Sequence, residues 1–273
     1  MPTRKDPAIL QEVVLLPERL GELHGILFGC AEALAERLLT RPPVYETVSW
    51  ERLLDELGAL FGNVAKILEE PALMEVEDST RRLLANIRHE DPYVPHWATD
   101  SVMARLCYLA CRLIQPKVIV ETGVAYGVSS AFILKALEEN NGSGKLYSVD
   151  LPPPRREYER SWGIAVPDAL KGRWKLHRGS SARVLPRLLE ELRTVDIFIH
   201  DSLHTHRNMR REFDTVWPHL RNGGLLLADD VERNHAFGEL QQKSPALWRV
   251  VEDREVSPLH GKAAPVVFGI AMK

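Results

Sequence analysis

The sequence has no long apolar run; none approaches the ~20 residues that a membrane span needs. Its opening, Met1-Pro2-Thr3-Arg4-Lys5-Asp6, lacks the apolar core of a secretory leader, so the expected location is cytoplasmic. Cysteine is scarce: Cys30, Cys107 and Cys111 are three, an odd number and too few for a disulfide framework. Cys107 and Cys111 lie four apart in a helical pattern and share a face. With no His or further Cys beside them they read as buried thiols of a reducing compartment. There is no G-x-G-x-x-G dinucleotide fingerprint and no Gly-Lys-Ser/Thr phosphate loop. There is no internal repeat and no low-complexity tract. Strong net charge is absent too, at −3 over 273 residues. That small balance hides an asymmetry. Residues 1–100 hold 10 Lys/Arg against 18 Asp/Glu, whereas residues 101–273 hold 25 against 20. An acidic front half argues against nucleic acid as a partner, and no feature points to a membrane.

What is present begins with Val118-Ile-Val-Glu-Thr-Gly-Val-Ala-Tyr-Gly-Val-Ser-Ser130. A β-branched run ends in an acid, a turn with Gly123 and Gly127 follows, and a helical segment opens at Val128. Strand, glycine turn and helix N-terminus form the ligand edge of open α/β folds. Glu121 at the strand end would repel a pyrophosphate and suit a cationic ligand end such as an ammonium or sulfonium. A second strand, Lys145–Asp150, also ends in an acid. A third, from Trp174 to His177, runs into Gly179-Ser180-Ser181.

This succession resembles the class I S-adenosylmethionine (SAM) methyltransferases, whose first motif reads E/D-x-G-x-x-x-G. The resemblance covers roughly residues 95–273. It implies a Rossmann-like α/β fold: a mostly parallel seven-stranded sheet with an antiparallel last strand. It also implies SAM as cofactor, held by Glu121, Gly123, Tyr126, Gly127, Ser129, Asp150, Ser180, Ser181 and Asp201. Asp150 would take the ribose hydroxyls, and Gly179 to Ser181 would lie at the adenine.

A further region, Val195 to His206, brings a buried strand to His200, Asp201 and His204. The strand that follows Gly223-Gly224 ends in Asp229-Asp230. Two neighbouring strands thus end in three carboxylates, a charge density that a cation or buried donors must offset. Oxygen donors with waters suit Mg²⁺, so Asp201, Asp229 and Asp230 are the candidate metal ligands. The competing reading has Asp201 facing the cofactor and Asp229 capping a turn. The layout resembles the metal-dependent small-molecule O-methyltransferases. Asp201, Asp229 and Asp230 match the catechol type, with Asp230 where that type has Asn. Asp201-Ser-Leu-His204 fits the Asp-x-x-His of the macrolide-sugar type. His204 is the candidate general base, because a poorly nucleophilic hydroxyl must lose its proton and imidazole titrates near neutrality. His200 is balanced between a role and a satisfied core position. His206 reads as a helix-start or exposed residue, and His235 as a secondary candidate.

The first hundred residues read as helices, with apolar stripes through Leu20–Leu38 and Trp50–Ile67 and a shorter stretch over about 79–88. The expected division is a helical accessory region over 1–95 and a SAM-binding domain over 96–273. The accessory layer would complete the core, form a homo-oligomer or act as a lid. The arginines 207, 210 and 211 read as a solvated helix face. Tyr158 and Trp162, in a proline-stiffened excursion after the second strand, cover the ligand or simply anchor the loop. The resulting expectation is methyl transfer to a hydroxyl of a small metabolite, with SAM and Mg²⁺. Metal-free N-methylation, a non-methylating reaction, and a non-catalytic SAM-binding module are the alternatives.

Overall fold

The computed structural model describes residues 27–29, 31–36, 38–87, 101–153, 156–253 and 266–273. Its centre is an eight-stranded sheet in the order β1-β7-β8-β6-β5-β2-β3-β4. The strands are β1 (Thr47–Val48), β2 (Val118–Thr122), β3 (Lys145–Asp150), β4 (Trp174–Arg178), β5 (Val195–His200), β6 (Leu220–Asp229), β7 (Leu247–Asp253) and β8 (Val266–Met272). All neighbouring pairs are parallel except those of β8, which runs antiparallel to both β6 and β7. The expected mostly parallel sheet with an antiparallel last strand is present, and β1 adds an eighth strand from the N-terminal region. Two residues of β1 pair Thr47 with Val250 and Val48 with Val251, too few for an alternation to announce them.

The chain leaves β2 outward through β3 and β4, then returns to β5 on the other side of β2. The carboxyl ends of β2 and β5 therefore flank the switch point, where open α/β sheets bind ligands. Alternation along each strand divides the core. Ile119, Ile197, Ile199, Leu225 and Leu227 face one hydrophobic cluster, and Val120, Phe198, Leu226 and Ala228 face the other. Being buried on both faces, these strands read as continuous apolar runs. Each fully buried Leu, Ile or Phe contributes about 1.5–3 kcal/mol.

On the first face lie α4 (Ser101–Ile114) and α5 (Val128–Glu139), covered in turn by α1 (Trp50–Phe61), α2 (Val64–Leu68) and α3 (Pro71–Ala85). The long Trp50–Ile67 stripe is broken, because Gly62 and Asn63 both have positive φ and separate α1 from α2. Pro71 sits in the first turn of α3, where its missing N–H costs no bond. α3 is thus longer than the expected stretch over about 79–88. Glu70 accepts from Tyr108 Oη at 2.5 Å and from Arg112 at 2.8–3.1 Å, fastening this layer to α4. Cys107 and Cys111 are buried on α4, their thiols pushed up by burial. The second face carries α6 (Ser181–Leu192), α7 (His206–Val216) and the short α8 (Ala236–Glu239). The boundary expected at 95/96 lies outside the described residues. Among those described, no helix is long and apolar enough to cross a membrane.

Candidate active site

The turn after β2 is set by two close approaches. Gly123 has φ +87°, and a Cβ there would lie 1.8 Å from the carbonyl oxygen of Asp201. Gly127 has φ +79° and packs against the Cα of Gly163. The Gly123 N–H donates to Val149 O at 2.9 Å and the Asp201 N–H to Thr122 O at 2.8 Å, so the β2, β3 and β5 ends are joined at one point. Asp150 closes the turn from β3. Its Oδ2 accepts from Val124 N (3.1 Å), Ala125 N (3.2 Å) and Trp162 Nε1 (2.8 Å). Burial raises its carboxyl to about 6 against those hydrogen bonds. Trp162 is therefore an anchor for Asp150, with the Arg178 guanidinium 5.8 Å above its ring. The Tyr158 side chain lies outside the described residues.

Glu121 faces differently from the sequence expectation. Instead of meeting a cationic ligand end, its fully buried carboxylate turns to α5 and β3. It accepts from Ser129 (2.5 Å), Ser130 (2.6 Å) and Ser148 (2.7 Å). A carboxylate without water needs donors, and these three hydroxyls supply them. The Ser129 hydroxyl is thereby committed to Glu121, while its backbone stays in the first turn of α5. Tyr126 is buried, and its carbonyl accepts from Ala165 N at 2.8 Å. Ser180 precedes α6 and Ser181 opens it, the latter's hydroxyl turned towards Asn208 at 3.4 Å.

Across the switch point, β5 delivers Asp201 and the loop to His204, and β6 delivers Asp229 and Asp230. One oxygen each from Asp201 and Asp229 and a ring nitrogen of His204 lie within 4.8 Å of one another. Asp230 does not join that cluster. It has φ +52°, a left-handed conformation that Asp tolerates, and its carboxylate is engaged by His204 and Arg233. Asp230 Oδ2 meets His204 Nδ1 at 2.9 Å and Arg233 at 2.7 Å. The other ring nitrogen, His204 Nε2, is buried without a hydrogen bond, 3.7 Å from Asp201 Oδ1. Burial lowers the His204 pKa, and the hydrogen bond to Asp230 only partly opposes it. Asp230 is held below its usual range: burial would raise it, but His204 and Arg233 outweigh that.

The remaining histidines separate cleanly. His200 is buried with Nδ1 2.7 Å from Glu212 on α7. His206 begins α7, and its Nε2 lies 2.9 Å from Glu239. His235 is exposed, with Nε2 3.2 Å from Arg41 O. Arg210 is exposed and pairs with Glu239 at 3.0 Å. Glu212 and Asn208 are absent from the sequence expectation. A signal exists for Glu212: it stands in the apolar stripe of Met209, Phe213 and Val216, where an acid needs partners.

Residues 120–231 match the family model of a methyltransferase domain. Over 74 residues the chain is 32% identical to the L-olivosyl-oleandolide 3-O-methyltransferase of Streptomyces antibioticus, covering 25% of this chain and 19% of that protein. The chain thus spans about a fifth of the length of the curated relative it matches. Among solved structures it is similar to the O-methyltransferase TomG from Streptomyces achromogenes, involved in tomaymycin synthesis and in complex with SAM. The TM-score is 0.52 at 18% identity, over 83% of this chain and 99% of that one. It is similar also to the O-methyltransferase from Bacillus cereus in complex with SAH. There the TM-score is 0.50 at 16% identity, over 81% of this chain and 100% of that one.

Proposed function

We propose that this chain, which carries the class I methyltransferase fold with a methyltransferase domain over residues 120–231, methylates a hydroxyl of a small metabolite with SAM as donor. The observation that carries the reading is the pairing of a cofactor-type turn with a carboxylate–imidazole cluster across one switch point. The named relative and neighbours, each an O-methyltransferase by its own description, support oxygen as the acceptor atom.

His204 supplies the proton chemistry. Asp230 holds Nδ1, fixing the tautomer that carries its hydrogen there and leaving Nε2 basic. A base oriented by a third group is the usual arrangement for activating a hydroxyl. Nε2 is placed to take the hydroxyl proton; bound SAM would supply the methyl group to the oxygen, the electron pair of the broken carbon–sulfur bond leaving on sulfur. Asp150 and the Gly123–Gly127 turn place the donor, and the burial of His204 keeps it neutral and able to accept.

The two carboxylates of Asp201 and Asp229 fit a hard divalent cation such as Mg²⁺, which binds carboxylate oxygens and keeps waters. Such a cation would lower the pKa of the acceptor hydroxyl. Asp230 then serves His204 rather than the cation. A second reading is favoured by the orphaned Nε2 itself: it is the third ligand, with Asp230 the outer carboxylate that orients a metal-bound histidine.

His204→Ala separates them. As a base, His204 should cost about 10²–10⁴-fold in turnover when removed, with Mg²⁺ and SAM affinities unchanged. As a ligand, its removal should weaken Mg²⁺ binding by about 10–100-fold. Turnover within threefold of wild type would discard both roles. Full activity of the wild-type enzyme in excess chelator would discard the cation.

A further inference from the structure

Behind the cluster lies a carboxylate that the reaction does not use. Glu212 is fully buried on α7, yet four other parts of the fold, and one residue of its own helix, meet it. Thr122 at the end of β2 donates its hydroxyl at 2.6 Å, and His200 Nδ1 at the end of β5 lies at 2.7 Å. Ser202 in the site loop donates at 2.9 Å and Asn208 Nδ2, one turn earlier on α7, at 3.1 Å. Ser181 at the start of α6 completes the set. Asn208 Nδ2 also reaches Leu203 O at 2.9 Å and Ser202 Oγ at 3.1 Å. The loop is thus gripped at residues 202 and 203, between Asp201 and His204. His200, held by Glu212, in turn sets its ring edge-on to that of His204, with centroids 5.4 Å apart and planes at 75°.

An acid in this position is costly as mere packing. The stripe around it is apolar, and an aliphatic side chain would bury at no desolvation penalty. Burial pushes the Glu212 carboxyl up, but the adjoining His200 and the hydrogen bonds from His200, Ser181 and Thr122 hold it at about 2, so it remains a fixed anion. What the anion provides is direction: its acceptors are aimed at the ends of two strands and at one loop.

We propose that Glu212, assisted by Asn208, is the positioning residue of this site: it holds the loop bearing Asp201 and His204 in place and locks that loop to Thr122, next to the Gly123 turn. The proposal rests on the methyl-transfer reading above for its kinetic consequence, but its structural consequence is independent of it. Displacement of a reacting group by about 1 Å costs on the order of 10²-fold in rate.

The test uses Glu212→Gln, which keeps shape and loses the anion, and Ser202→Ala, which releases only the loop. Backbone hydrogen exchange of residues 202–205 should accelerate about tenfold or more in Glu212→Gln, and less in Ser202→Ala, while β3 and α5 stay protected. Turnover should fall about 10–100-fold with the Michaelis constant for SAM within about threefold, the split expected when a reacting group is misplaced rather than a binding site lost. Exchange and turnover within twofold of wild type in both variants would overturn the proposal. If Glu212→Gln does not fold, Ser202→Ala decides on the same two readouts. If the wild-type protein methylates no hydroxylated acceptor, the methyl-transfer reading fails by itself, and the exchange comparison still decides the role of Glu212.

Discussion

Asp150 sets a pH window. Its carboxyl is raised to about 6, chiefly by burial, so in the folded protein the neutral form is favoured relative to an exposed chain. Its contribution to stability is complete below its ordinary value of 3.8 and is lost as pH rises through about 6. At neutral pH the site thus carries a carboxylate that burial disfavours, and a diol donating to both oxygens would relieve it. SAM affinity should therefore be level above pH 7 and decline below about 6, approaching tenfold per unit. Calorimetry from pH 5 to 8 reads this, and Asp150→Asn should flatten the profile; a flat wild-type profile would exclude Asp150 from the ribose site. The acids that end β2 and β3 are legible in the sequence because a β-branched or apolar run delivers them. Which way each then points is not. Glu121 turns to three serines from two elements, and Asp230 is held by His204 and Arg233. Each outcome draws on at least one partner from another element, Ser148 for Glu121 and His204 for Asp230, which adjacency does not encode.

At the scale of elements, the β2–α5 turn is the most constrained piece. Gly123→Ala would force a left-handed backbone on a residue with a side chain, worth about 1–3 kcal/mol, and would also drive Cβ into the Asp201 carbonyl. Thermal denaturation should show a lower melting temperature, and SAM and Mg²⁺ binding should weaken together because the turn and the Asp201 loop share that contact. Loss of SAM binding alone would mean the loop moves independently. The strands β2, β5 and β6 are readable because burial on both faces leaves largely continuous apolar runs, and β3 because it alternates before its closing acid. Elements escape such reading when they are short or when a polar residue serves a tertiary purpose. β1 has two residues, and the grip of α7 on the site loop depends on Asn208 and Glu212, whose helix spacing is plain but whose partners are not.

For the whole molecule, the N-terminal helices and the sheet share one hydrophobic cluster: Leu53, Leu57 and Leu73 lie in the same core as Phe132 and Ile197. Leu57→Ala should therefore destabilise the entire chain by about 2–5 kcal/mol in a single cooperative transition. Two separated transitions in calorimetry would instead reveal an independent accessory unit. The apolar stripes made these helices legible; the sharing of one core was not, since amphipathicity shows that a face is covered but not by what. The antiparallel strand β8 has a consequence for biosynthesis. It lies between β6 and β7, so β7, although made earlier, is joined to the rest of the sheet only through a segment the ribosome delivers later. The strands bearing the cofactor turn are available to assemble during translation, while the β1–β7 pair must wait unjoined to them, a vectorial order that leaves the facing edges of β6 and β7 exposed to misassociation until residues 266–272 emerge.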